Sequence, residues 1–353
     1  MLRKILLSSL IASSLGLSGV ASAETKVGFV YVGPVGDHGW SYQHDQSRLA
    51  VEKALGVKTT FVESVAEGAD AERVIRKLAS SGNDLIFTTS FGYMNPTLKV
   101  AKRFKKVKFE HATGYKRAAN VSTYSARFYE GRAILGAIAG KMTKSNVVGY
   151  IGSFPIPEVI RGIDAFTLAL RKVNPKATVK VVWVNSWFDP GKEGDAAKAL
   201  IDQGVDIITQ HTDSPAPLQV AEKRGVYAFG QASDMSAFAP KAQLTSIIDN
   251  WDNYYIERVK AVMDGTWKST DTWDGIKPGM VEMAPYGDAV PQDVRDMADK
   301  IKASIVDGSF HPFQGPIKNQ KGELVVKEGE VISDADLAGL SWYVEGVEGS
   351  IPK

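Results

Sequence analysis

KVGFVYVG, residues 26–33, is an unbroken apolar run that stops at Gly33-Pro34. A run of that length without polar alternation is a strand covered on both faces, as in a parallel sheet. A helical pattern follows from about Trp40 to Leu55. Strands are then predicted at Thr59–Val65, Asp84–Thr89 and Lys108–Ala112, with helices at Asp70–Ser81 and Pro96–Phe104 between them. Strands that alternate with helices build a parallel sheet with helices on both faces.

The pattern restarts at NVVGYIG, residues 146–152. Helices at Glu158–Val173, Gly191–Gln203 and Pro217–Arg224 alternate with strands at Val179–Val184, Asp206–Gln210 and Tyr227–Gly230. Val62, Ser64, Gly82 and Asp84 recur as Val184, Ser186, Gly204 and Asp206, all at one spacing. Leu85-Ile86 matches Ile207-Ile208 in the same frame. Any two strand–helix units share some of this, because glycine commonly ends the helix. Either origin gives an α/β protein with two doubly wound parallel-sheet lobes.

Three crossovers are expected between the lobes. The first falls near Tyr124–Arg127, ahead of the Ala/Gly-rich helix FYEGRAILGAIAGKMT, residues 128–143. The second follows Gln243–Asn250, and the third lies within Thr272–Met283. Residues 24–127 plus about 251–270 then form one lobe. Residues 128–250 plus about 271–353 form the other, with an amphipathic helix at Pro291–Val306 and a hairpin in KNQKGELVVKEGE.

The 353 residues carry Lys+Arg 42 against Asp+Glu 40, which offers no basic field for nucleic acid. Cysteine is absent, so disulfides, thiolate metal sites, a cysteine nucleophile and a lipid-modified N-terminal cysteine are excluded. Arg3 and Lys4, the apolar stretch Ile5–Leu17 and Ala21-Ser22-Ala23 read as a secretory signal peptide cut after Ala23. The apolar stretch is shorter than the ~20 residues that span a bilayer. Cleavage removes two cations and no acid, which leaves the mature side chains without net charge. A soluble periplasmic protein is expected.

In open α/β sheets ligands bind beyond the carboxyl ends of the strands. The loops there carry Asp37, Trp40 and Tyr42; Phe91 and Tyr93; Trp187 and Phe188; His211 and Asp213; and Gln231 and Asp234. Aromatic faces stack on flat ligands, and Asp, Gln and His bond their rims. Each aromatic could instead fill a core, and Asp189-Pro190 reads equally as a helix start. The adjacent rings Trp187-Phe188 are the strongest pair, since two neighbours rarely face one core. No G-x-G-x-x-G follows the first strand, and no Walker loop or G-x-S-x-G elbow occurs. The five histidines do not make a metal site, and no cofactor is expected.

These residues resemble a type I periplasmic substrate-binding protein of an ABC importer. More narrowly, the chain resembles the basic membrane protein family, which includes PnrA-type purine nucleoside receptors. The likeness rests on KVGFVYVGPVGDHGW, on Glu130-Gly131 before the Ala/Gly-rich helix, on GYIGSFPIP and on SWFDP followed by KALIDQGVD. It implies a small-molecule ligand held by cleft closure, an inner-membrane ABC permease as partner and a monomeric receptor, with no nucleic acid and no chemistry. Trp40 stands where the family has a stacking Phe, and Phe188 matches its second stacking ring. The family's Gly-Val-Asp-x-Asp reads here Gly230-Gln231-Ala232-Ser233-Asp234, so one acid is missing. Its Lys after Thr-Ser is replaced in Thr245-Ser246-Ile247-Ile248-Asp249, and the acid after the fourth strand is absent from Ala112-Thr113-Gly114. The resemblance therefore implies a bare purine base such as adenine ahead of a nucleoside, with Asp213, Gln231, Asp234 or Asp249 at its edge. A sugar or other heterocycle stays open through Arg161 and Asn250. A hydrolase using Asp37-His38 or His211-Asp213 is the rival from another class.

Overall fold

The computed structural model describes residues 24–36 and 38–352. Residues 1–23, where a signal peptide is expected, Asp37 and Lys353 lie outside the described residues. The first half runs β1 (Val27–Val30), α1 (Gly39–Leu55), β2 (Thr59–Val62), α2 (Ala69–Ser80), β3 (Leu85–Thr88), α3 (Met94–Ala101), β4 (Lys108–Ala112) and β5 (Val121–Ala126). The second runs α4 (Phe128–Met142), β6 (Val147–Gly152), α5 (Pro157–Val173), β7 (Thr178–Trp183), α6 (Pro190–Asp202), β8 (Ile207–His211), α7 (Ala216–Arg224), β9 (Tyr227–Gly230) and β10 (Gln243–Asp249). Then come α8 (Asp252–Met263), β11 (Asp271–Asp274), β12 (Val281–Met283), α9 (Gln292–Asp307), β13 (Ile317–Lys318), β14 (Leu324–Val326), α10 (Asp334–Ala338) and β15 (Val347–Glu348).

One sheet has the order β11-β5-β4-β3-β1-β2, the other β12-β10-β9-β8-β6-β7-β15. Read from β2 and from β7, the two share the doubly wound order 2-1-3-4-5. Within each sheet the first five strands in chain order pair in parallel. The apolar runs forecast this, since β1 and β3 are buried along their whole length. Gly82 and Gly204, equivalent in the repeat, both adopt the left-handed conformation just beyond α2 and α6.

The chain passes between sheets three times. Arg127 links β5 to α4, Asn250-Trp251 links β10 to α8, and residues 275–280 link β11 to β12. Helix α8 packs on α1 of the first lobe, and α4 packs along α5 of the second. That close α4–α5 approach needs Gly136, where an added Cβ would collide with the Phe166 carbonyl. The boundary expected at about 270 moves outward. Asp271–Asp274 pairs in parallel with Thr123–Ala126, so this strand belongs to the first sheet. Sequence reading overlooked β5 because Ser122, Thr123 and Ser125 dilute its apolar pattern. In the tail, β13 and β14 form an antiparallel hairpin and β15 extends the second sheet beside β7. Among the described residues, no helix is long and apolar enough to cross a membrane.

Candidate ligand cleft

The carboxyl ends of both sheets face each other, and a narrow cleft with a cavity of about 20 Å3 lies between them. Val32, Trp40, Ser90, Phe91 and Thr113 line it from the first lobe. Glu158, Trp187, His211, Asp213 and Gln231 line it from the second. A wider chamber of about 440 Å3, partly open to solvent, adjoins it through Phe91, Thr113 and Glu158. Arg161, Tyr115 and Trp273 are among its walls.

The lobes touch around the cleft. Gly39 N–H donates to Ser233 Oγ at 2.7 Å, and His38 Nδ1 donates to the Asp234 carbonyl at 3.0 Å. Trp187 donates its indole N–H to Glu67 Oε1 at 3.0 Å. Gly39 has φ +77°, and a Cβ there would run into the Asp213 carbonyl. A residue with no side chain is what lets the two loops meet.

Each ring and polar group has a definite environment. Trp40, at the first turn of α1, is nearly buried and donates its indole N–H to the Thr89 carbonyl at 2.6 Å. Phe128, His44 and Trp251 pack edge-on against it, which fixes the ring. Trp187 packs against Phe154 and is backed by a bond from Asp213 N–H to its carbonyl, 2.9 Å. On the polar side, Asp213 Oδ2 and His211 Nδ1 are buried and have no hydrogen-bond partner within the protein. Both oxygens of Asp249 are in the same position. Buried polar atoms are rarely left so, and at a cleft they are where a ligand's donors and acceptors would be met.

Burial sets the charge of this wall. It pushes Asp213 well above the usual carboxylate range, helped by Glu193, Asp249 and Glu158 nearby. Asp249 is raised by burial too, against the pull of Arg132. Glu158 is raised by burial to about 7, with Arg161 pulling it down. Burial, then Arg132 and Arg161, pushes His211 well below its ordinary value. His211 Nε2 stands 3.7 Å from Glu158 Oε1, too far for a hydrogen bond. The wall is thus rich in donors and acceptors yet weakly charged, which suits a neutral polar ring.

Of the residues chosen from sequence, Trp40, Phe91, Trp187, His211, Asp213 and Gln231 line the cleft together. The others do not. Phe188 turns its Cβ and Cγ toward Gly33. Tyr42 stacks on the His38 ring at 4.4 Å. Tyr93 is fully buried and donates its hydroxyl to the Val65 carbonyl at 2.6 Å. Asp234 accepts from Ser236 N–H and from Gln243 Nε2, so it braces its own loop. Asp249, fully buried at the end of β10, donates its backbone N–H to the Ala232 carbonyl at 2.8 Å and is influenced by Arg132. Two ionisable residues were missed. Glu158 follows β6, a strand end like the others, but an acid in a first helical turn reads as a helix-dipole partner. Arg132 sits inside an Ala/Gly-rich run, is buried, and bonds Thr209 Oγ1 and Gln231 Oε1. A lone cation in an apolar helix was its signal. Among the described residues no group of three His, Asp or Glu is set to hold a metal ion.

Comparisons with known proteins agree with this architecture. The model of the Bmp family, described as ABC transporter substrate-binding protein PnrA-like, matches residues 24–311. The chain is 60% identical over 341 residues to a purine-binding protein of Brucella abortus (strain 2308), covering 96% of this chain and 97% of that protein. It is 37% identical to a Haloferax volcanii protein whose name gives it as a glucose-binding protein of an ABC transporter, over 95% of this chain and 83% of that one. A solved ABC-transporter solute-binding protein from Aeropyrum pernix K1 superposes with a TM-score of 0.70 at 19% identity, covering 84% of this chain and 93% of that one. It shares the fold. The Bmp family is one of extracytoplasmic binding proteins, not enzymes, and this chain belongs to it.

Proposed function

We propose that the mature protein is the periplasmic receptor of an ABC importer, and that it binds a purine base, adenine ahead of a nucleoside. The rings of Trp40, Trp187 and Phe91 would hold the flat faces. Asp213, Gln231, His211 and Glu158 would bond the edge. The observation that carries this reading is the set of unpartnered buried atoms, Asp213 Oδ2 and His211 Nδ1, beside aromatic walls. They ask for a ligand with both donors and acceptors on a planar frame. The weak charge of the wall favours an uncharged one. The purine-binding relative at 60% identity supports the same choice.

The mechanism is closure. Both lobes contribute to the cleft, so ligand contacts are complete only when the lobes meet. A ligand shifts that balance by its differential affinity for the shut form. The shut form would then dock, as a monomer, on an inner-membrane permease and release its cargo unaltered. Export with cleavage after Ala23 would deliver the protein to that place.

A second reading has one observation in its favour. The adjoining chamber, with Arg161 and the rings of Tyr115 and Trp273, has room and donors for a hydroxylated ligand. A sugar, or the ribose of a nucleoside, would use it. Thermal-shift titration of the mature protein with adenine, guanine, adenosine, ribose and glucose separates these. The largest stabilisation is expected with adenine, and chromatography should recover the ligand unchanged. Stabilisation by glucose alone would replace the purine reading, and product formation would replace both.

A further inference from the structure

The stretch matched by the family model ends at residue 311. Beyond it, the tail carries α10, which packs on α5 of the second lobe. Asp334, in the first turn of α10, receives both guanidinium arms of Arg127, Nη1 to Oδ1 at 2.7 Å and Nη2 to Oδ2 at 2.6 Å. Arg127 is the first crossover residue, directly after β5. Its Nε donates to the Trp273 carbonyl at 3.0 Å, and its backbone N–H donates to the Asp274 carbonyl at 2.7 Å. One side chain thus joins the first crossover, the strand leading into the third, and the tail.

A second contact runs parallel to it. The Trp273 ring, from the first sheet, has the Arg127 guanidinium 4.6 Å from its centroid and the Arg161 guanidinium 4.8 Å from it. Arg161 belongs to α5, and its Nη1 donates to the Leu337 carbonyl of α10 at 3.2 Å. Arg127 sits at the first crossover and Trp273 in β11 of the first sheet. Asp334, Leu337 and Arg161 move with the second lobe. Both contacts thus tie the tail and α5 of the second lobe to the crossovers and to β11 of the first sheet. Arg127 and Asp334 line neither the cleft nor the chamber beside it.

We propose that α10 is a latch that holds the lobes shut from outside the cleft, with Asp334 and Arg127 as its positioning pair. It rests on the reading of the protein as a receptor that opens and closes. A contact made only in the shut form adds to closure without touching the ligand. A bidentate guanidinium–carboxylate pair gives that contact direction as well as strength. The pair is partly exposed, so salt should weaken it.

The chain has no cysteine, so labels placed at Lys77→Cys in α2 and Lys198→Cys in α6 would be the only ones. Their distance, measured by pulsed electron resonance on ligand-free full-length mature protein, reports opening whatever the ligand proves to be. Asp334→Ala and Asp334→Asn should both shift the distribution toward longer distances, and Asp334→Glu should largely restore it. About 0.5 M salt should reproduce the shift in the parent and add nothing in Asp334→Ala. Adenine affinity should fall up to about fivefold in Asp334→Ala, through faster dissociation. An unchanged distance distribution in folded Asp334→Ala and Asp334→Asn would overturn the latch. Loss of adenine binding in the parent would overturn the ligand assignment and leave the distance test to decide the latch.

Discussion

Trp187 and Glu67 meet across the cleft: the indole N–H of the loop after β7 donates to a carboxylate of the loop after β2, 3.0 Å away. The same oxygen accepts from Ser90 Oγ at 2.5 Å and from Gly92 N–H at 3.0 Å. Glu67 therefore ties the ring of Trp187 to the loop that presents Phe91. Two of the cleft's three aromatics are held by one acid that itself lies at the surface. Glu67→Ala should leave the fold intact and weaken adenine binding by about 1 kcal/mol, the net worth of a hydrogen bond. Calorimetry on the variant checks this.

The adjacent rings Trp187 and Phe188 should differ. Trp187 lines the cleft and Phe188 faces Gly33. Trp187→Ala should cost about 1–3 kcal/mol of base affinity, the range found when a stacking ring is removed. Phe188→Ala should cost clearly less. Fluorescence titration of both variants with adenine decides it, and the reverse order would move the stacking role to Phe188.

Gly39→Ala tests closure. The residue is left-handed and a Cβ would collide with the Asp213 carbonyl in the second lobe. The backbone strain is on the order of 1–3 kcal/mol. The collision exists only when the lobes meet, so the variant should fold, with scattering showing that adenine no longer compacts it. Ligand-induced compaction equal to that of the parent would contradict the contact.

Glu158 should make stability depend on pH. Its carboxyl is raised by burial to about 7, above its unfolded value. Between those two values the folded protein holds a proton that the unfolded chain has lost. Stability from this group is therefore full below the unfolded pKa, declines as pH rises toward 7, and levels off above it. Glu158→Gln removes the dependence. The melting temperature of the variant relative to the parent should rise between pH 5 and pH 8, with an effect on the order of 3 kcal/mol. An equal difference at both pH values would show that the group is not buried as a titrating acid.

The architecture was legible because burial wrote itself into sequence periods. KVGFVYVG and NVVGYIG open equivalent sheets, and Gly82 and Gly204 end equivalent helices in the same conformation. The strand-end rule found Trp40, Phe91, Trp187, His211, Asp213 and Gln231, because loop position alone brings them to the cleft. It could not tell Phe91 from Tyr93. Both sit in one short turn, and only tertiary packing sends the Tyr93 hydroxyl to Val65. It likewise could not see that Asp234 is used locally by Ser236 and Gln243. Arg132 was hidden because its partners, Thr209 and Gln231, lie on strands far along the chain.

The central claim is a purine base bound between the lobes by rings and unpartnered polar atoms. Isothermal titration of mature protein with adenine, run beside Asp213→Ala, tests it most directly. The account predicts one site per chain with measurable heat, and binding at least tenfold weaker in the variant, because Asp213 Oδ2 loses its role at the ligand's edge. No heat with adenine, or equal affinity in the two proteins, would contradict it.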